Sequence, residues 1–255
     1  MDRADSEGRR MICFVDMEHE EVLGITPHRV EAWPLPSSRV PGEDETERLM
    51  HLGRRSELKW RFEEISGHPC LVQHYSQVTE EKLKDWGIEA LLLSGCATSW
   101  DKYDFDRCQE LFRIIREGEW PVIGFCGGHQ FIGYAYDVPS GPMGPLPEGM
   151  EPPRPGDTSG MLREYGYMEV ETLQKDPLFD GLGDPPVLWE SHWWEVKAVP
   201  PGFSLLATRD TCRIQAMKHE ERVLYSVQFH PEAYSEEHQD GKRLLENFFR
   251  IAGLI

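Results

Sequence analysis

The chain is poor in positive charge: 27 lysines and arginines stand against 45 aspartates and glutamates in 255 residues, a formal charge of −18. Nucleic-acid binders gain affinity by neutralising phosphates, so DNA and RNA are not expected partners. No window approaches the ~18–20 consecutive apolar residues of a membrane span. Met1 to Arg10 reads as a polar leader rather than an apolar export signal, and the expectation is a cytoplasmic protein that makes no membrane contact. The six cysteines (Cys13, Cys70, Cys96, Cys108, Cys126, Cys212) include no CxxC pair, so neither a zinc site nor a secreted disulfide framework is indicated. His68, Cys70 and His74 lack a fourth partner and sit on an expected strand, so no metal is assigned to them. A nucleotide-binding P-loop is also missing. Apolar material is not: 39% of the residues are hydrophobic and 11% aromatic, enough for a large core.

Strand-like and helix-like segments alternate from residue 11 onward. Met11 to Val15, Cys70 to His74, Ala90 to Leu93 and Val122 to Phe125 read as buried strands. Between them, Arg48 to Ile65 (with a break suggested at Gly53), Thr79 to Trp86, Phe105 to Glu117 and His129 to Tyr136 read as helices. Thr79 suits an N-cap and Gly87 a C-cap. This pattern predicts an α/β fold with an open, mostly parallel sheet and helices on both faces. Pro34 to Glu47 is rich in proline and acid. From Val138 to Gly160, seven prolines and five glycines occupy 23 positions, which predicts a long loop without a regular element. Beyond it, Tyr167 to Thr172, Val187 to Trp189, Ser204 to Ala207, Ile214 to Met217 and Val223 to Phe229 read as strands, and Leu244 to Ile251 as a closing helix. No internal repeat or clean linker divides residues 11–255, which are read as a single domain.

The chemistry is concentrated in two segments. In Val122 to Gln130 (VIGFCGGHQ) an apolar strand runs into Gly124-Phe125-Cys126-Gly127-Gly128, the small-residue pattern that a sharp strand-to-helix turn requires around a nucleophile. Such a turn lifts Cys126 above the carboxyl edge of the sheet, near a helix amino end that favours a thiolate. Taken alone, the segment also suits a glycine-rich turn around an incidental buried cysteine. In Val227 to Glu232 (VQFHPE), His230 and Glu232 project to the same side of an extended chain, as a base and its orienting carboxylate would. Alone, that segment equally describes a strand-end histidine beside a surface glutamate.

Together the two segments resemble the GxCxGxQ and FHPE motifs of the class I, or triad-type, glutamine amidotransferases. Leu91-Leu92-Leu93-Ser94-Gly95 is similar to that family's oxyanion-strand loop, Glu164-Tyr165-Gly166 to its ExG hairpin, and Glu190-Ser191-His192 followed by Val196 to its SHxxxV segment. The resemblance runs from about Met11 to Ala252 and implies a flavodoxin-like fold with a small antiparallel strand subdomain. It implies a Cys126–His230–Glu232 triad that releases ammonia from glutamine through a γ-glutamyl thioester, with an oxyanion hole built around Gly95 and Gly127. Gln130, Ser191, His192 and Trp193 are implied around the amino-acid end of the substrate. No metal or organic cofactor is implied.

Three departures from the family pattern stand out. Cys96 occupies a place usually held by a second small residue, which restricts the peptide flip that forms the oxyanion hole and also places a second thiol where oxidation could join it to Cys126. Trp193 and Trp194 replace small and acidic residues; adjacent indoles in extended chain face opposite ways, which predicts at least one in the core. The 138–160 loop replaces a short connection and reads either as a lid or partner contact, or as a solvated insertion. Two enzymatic readings follow: a glutaminase that passes ammonia to a synthase in trans, or a stand-alone γ-glutamyl hydrolase or peptidase acting on a conjugate. A third reading, a ligand sensor or inactive scaffold, conflicts with the presence of all three triad residue types.

Overall fold

The computed structural model describes residues 10–23 and 43–255. The leader up to residue 9 and most of the proline- and acid-rich stretch, residues 34–42, lie outside the described residues. Along the chain the strands are β1 (Met11–Asp16), β2 (Cys70–His74), β3 (Ile88–Leu93), β4 (Val122–Phe125), β5 (Ser140–Pro142), β6 (Glu164–Glu169), β7 (Glu171–Thr172), β8 (Val187–His192), β9 (Trp194–Val196), β10 (Phe203–Thr208), β11 (Ala216–His219) and β12 (Leu224–Val227). The α-helices are α1 (Glu20–Leu23), α2 (Glu43–Ser66), α3 (Glu80–Asp85), α4 (Gln109–Glu117), α5 (Gly127–Ala135) and α6 (Asp240–Ile251).

Eight strands form one sheet in the order β2-β1-β3-β4-β12-β11-β10-β7. The first five are parallel and the last three join antiparallel. Strand alternation divides the core into two layers. Ile12 and Phe14 enter the layer holding Phe62 of α2 and Phe248 of α6. Cys13 and Val15 enter the layer holding Leu111 and Ile115 of α4 and Phe131 of α5. The expected helix-covered α/β sheet is therefore present, and the near-continuous apolar run of β3 follows from burial on both faces. The smaller antiparallel part consists of two separate two-stranded sheets, β5 with β9 and β6 with β8. Among the described residues no helix is long and apolar enough to cross a membrane.

Several local expectations are corrected. Helix α2 passes through Gly53 without a break, because one glycine costs a helix only ~1 kcal/mol. Phe62 is buried, with Leu58 and Ile65 packed beside it, but Leu49 and Leu52 of the same helical stripe are exposed. A helix of this length spans about 36 Å, against ~17–20 Å for an average strand, so its amino-terminal half overhangs the sheet. Phe105–Cys108 forms a 3₁₀ turn before α4 rather than its first turn, with Asp104 capping the Asp106 N–H at 3.1 Å. The 138–160 segment is not free of regular structure: β5 pairs with β9, and Pro145 bridges Met161. Thr79 caps α3 through its hydroxyl, and Gly87 follows that helix with φ +64°, as the sequence predicts.

Candidate active site

The parallel strands β1, β3, β4 and β12 all present their carboxyl ends on one edge, where open α/β sheets bind ligands. Cys126 stands there between β4 and α5 with φ 46° and ψ −100°, a conformation that L-residues rarely adopt. The surrounding glycines explain how it is tolerated. A Cβ on Gly124 would lie 2.6 Å from the Gly128 backbone, and one on Gly128 would lie 2.4 Å from the Leu93 carbonyl oxygen. Backbone bonds from Cys126 N–H to Val227 O at 2.8 Å and from Gly128 N–H to Ser94 O at 2.9 Å lock the bend to its neighbours.

β12 lies beside β4 with Val227 opposite Phe125, so the chain beyond it delivers His230 to the same edge. His230 hydrogen-bonds the Cys126 sulfur on one side, and its Nδ1 lies 2.7 Å from Glu232 Oε1 on the other. Their shared side does not come from extended chain, since Pro231–Ala233 is a 3₁₀ turn. Burial opposes charge on His230, but the attraction of Glu232 and of the Cys126 sulfur outweighs it and holds the imidazole pKa well above its ordinary value. The His230 N–H donates to Trp189 O at 2.8 Å, and Arg61 of α2 donates to the Glu232 and Tyr234 carbonyls at 3.1 Å each, fixing the segment from both sides.

Facing them is the loop after β3. A Cβ on Gly95 would meet His230 Cε1 at 2.8 Å, and one on Gly127 would meet the Cys96 nitrogen at 2.7 Å. These two glycines are what let loop, elbow and imidazole close on one another. The backbone N–H groups of Gly95, Cys96 and Gly127 donate to no acceptor among the described residues. Cys96 and Cys126 line a pocket of about 160 Å³ together with Gln130, Ser191, His192, Trp193 and Trp194. The Gln130 amide is already engaged: it donates to Trp194 O at 3.0 Å and accepts from Trp100 Nε1 at 2.7 Å, so it fixes the pocket wall.

Beneath the pocket His192 is buried between acids, with Nε2 2.8 Å from Glu164 and 3.3 Å from Glu190, and Nδ1 2.9 Å from Trp194 O. Burial alone would lower its pKa, but the bonds to Glu164 and Glu190 raise it to about 10. Both ring nitrogens face acceptors, as an imidazolium requires. Glu164, His192 and Cys212 place potential ligand atoms within 4.8 Å of one another. The Arg209 guanidinium also contacts Glu164 at 2.8 Å, and burial pushes the Cys212 thiol up, so the cluster already holds its own cations and offers no thiolate.

Known proteins share this arrangement. The family model for class-I glutamine amidotransferases matches residues 56–252. The chain belongs to that family. Similar curated proteins include the glutamine-hydrolysing subunit of GMP synthase from Pyrococcus abyssi, 38% identical over 57% of this chain and 68% of that one. The protein of the same name from Archaeoglobus fulgidus is 31% identical over 69% of this chain and 92% of its own. A crystal structure described as that of a GMP synthase subunit, from Thermoplasma acidophilum, superposes with a TM-score of 0.64 at 22% identity, covering 95% of this chain and 94% of that one.

Within this amidotransferase the two indoles differ from expectation. Both Trp193 and Trp194 line the pocket, both are partly buried, and their rings meet edge-to-face at 5.8 Å. Neither is wholly core, because β9 pairs with β5 along the pocket rim rather than inside a layer. Sequence reasoning missed Arg154 and Arg163, which also line the pocket. Arg154 lies over the Tyr165 ring at 5.9 Å, and Arg163 pairs with Asp157. Two cations inside a proline- and glycine-rich stretch of an acidic chain were the available signal.

Proposed function

We propose that the protein is a cytoplasmic glutaminase unit that hydrolyses the side-chain amide of glutamine and passes ammonia to a synthase in trans. Cys126 Sγ attacks the amide carbon, His230 protonates the departing ammonia and then activates water against the γ-glutamyl thioester, and Glu232 holds the imidazole. Unpaired N–H groups beside Gly127 receive the oxyanion, each good donor contributing about 3–4 kcal/mol. Ser191, His192 and Trp193 form the wall around the amino-acid end, with Gln130 fixing its backbone, and Arg154 and Arg163 offer positive charge to its carboxylate. The observation that carries this reading is the contact of the Cys126 sulfur with His230 over a strained elbow. The relatives are named as one subunit of GMP synthase, which supports delivery of ammonia to a separate polypeptide.

A stand-alone γ-glutamyl hydrolase would need space for the conjugate. The pocket, at about 160 Å³, is below the ~300–1,000 Å³ of sites that take drug-sized ligands, which supports free glutamine. A glutamine-like diazo-ketone followed by peptide mapping tests the assignment. Labelling is expected at Cys126 and lost in Cys126→Ser, with glutamine hydrolysed faster than γ-glutamyl amides. Labelling elsewhere with Cys126 untouched overturns it, and turnover of conjugates alone replaces it with the hydrolase reading.

A further inference from the structure

The peptide between Gly95 and Cys96 is held from outside the loop. Its carbonyl, Gly95 O, accepts the Ser94 hydroxyl at 2.8 Å and Arg55 Nη2 of α2 at 3.2 Å. The Ser94 oxygen is itself oriented by the Met17 N–H at 2.9 Å. Arg55 is fixed in turn: the buried Asp16 carboxylate at the end of β1 lies 3.0 Å from its Nη2 and 2.8 Å from His51 Nε2, one helical turn earlier on α2. The guanidinium also sits over the Phe14 ring at 5.5 Å. On the far side of the loop, Glu18 accepts the Ala97 and Thr98 N–H groups at 2.7 and 3.2 Å. The Cys96 N–H, which lies between these two anchors, is bonded to nothing among the described residues and sits beside Gly127.

In a planar trans peptide the C=O and the following N–H point in opposite directions, so a group that fixes one fixes the other. We infer that Arg55 is a positioning residue for catalysis: by holding the Gly95 carbonyl away from the pocket it aims the Cys96 N–H at the oxyanion. Reversal of this peptide would break two hydrogen bonds and leave the largely buried guanidinium facing Asp16 alone. The restriction expected from a side chain at position 96 thus acts on a peptide already turned the useful way. Arg55 and Asp16 precede the residues matched by the family model, which begin at 56.

This inference rests on the glutaminase reading, and its test separates the two. The parent protein is compared with Arg55→Met, and with Asp16→Asn/Arg55→Met, in which no buried carboxylate is left unpaired. Each variant is assayed for glutamine hydrolysis, for inhibition by a γ-glutamyl aldehyde whose thiohemiacetal carries an oxyanion, and for alkylation of Cys126 by iodoacetamide, which needs no oxyanion. Both variants are expected to lose about 10- to 100-fold in kcat, part of the 10²–10³-fold worth of one donor, with KM changed less than about threefold. Aldehyde affinity should fall in parallel with kcat while the iodoacetamide rate stays within about twofold of the parent, and Arg55→Lys should recover part of the loss. Unchanged kcat and aldehyde affinity in an active parent background would overturn the role of Arg55 and leave the glutaminase reading intact. A loss confined to KM, or an equal loss of iodoacetamide reactivity, would also overturn it. A parent that neither hydrolyses glutamine nor binds the aldehyde would instead refute the glutaminase reading.

Discussion

At the scale of single residues the site depends on one side chain in an unfavourable conformation. Cys126 has φ 46°, and such a backbone costs a non-glycine residue about 1–3 kcal/mol. Glycine adopts it freely but adds ~0.5–1 kcal/mol of unfolded-state entropy. Cys126→Gly is therefore expected to be inactive yet about 1 kcal/mol more stable than Cys126→Ala, a shift of about 3 °C in Tm, measurable by calorimetry. Equal melting temperatures would mean that the elbow carries no strain. The thiol opposite it is a poor redox partner: burial first, then the charge of Glu18, pushes Cys96 well above the ordinary thiol range. A disulfide would require that protonated thiol to attack an oxidised Cys126.

At the scale of elements, sequence and structure agree where a pattern has one physical solution. β1, β3 and β4 are apolar because both faces are covered, and the CGG turn is legible because close backbone approach excludes side chains. Gly128→Ala tests that argument, since its methyl would sit 2.4 Å from the Leu93 carbonyl. A loss of about 3 kcal/mol or more in urea unfolding is expected, and a neutral result would refute the close contact. Boundaries were less legible. β8 extends from Val187 to His192, beyond the apolar residues that signalled it, because its polar end is buried by partners from distant positions: Glu164 and Arg209. Helical spacing placed Leu49 and Leu52 in a stripe with Phe62, but spacing does not reveal how far a helix outruns its sheet. The pocket's two arginines escaped notice because no periodicity governs a loop, whereas the triad was readable because its residues end strands.

At the scale of the whole molecule, two charged clusters set opposite pH limits. Burial raises the Asp16 carboxyl, but the His51 hydrogen bond and the Arg55 charge outweigh it and lower the pKa from 3.8 to about 2. Its contribution to stability is complete above about pH 4 and is lost as pH falls toward 2. His192 behaves in the opposite sense: its contribution is complete below about pH 6.5 and is lost as pH rises through about 10. Tm measured from pH 3 to pH 10.5 should fall at both ends. In His192→Asn the decline between pH 7 and 10 should flatten, and an unaltered alkaline limb would show that the imidazolium stabilises nothing.

β4 and β12 are neighbours in register, although about a hundred residues separate Cys126 from His230 along the chain. The spacing between the two is thus set by a ladder of backbone hydrogen bonds, and the intervening polypeptide takes no part in measuring it. Selection is free to lengthen, shorten or redecorate that stretch, trading one acceptor or substrate preference for another, while the cutting machinery stays untouched.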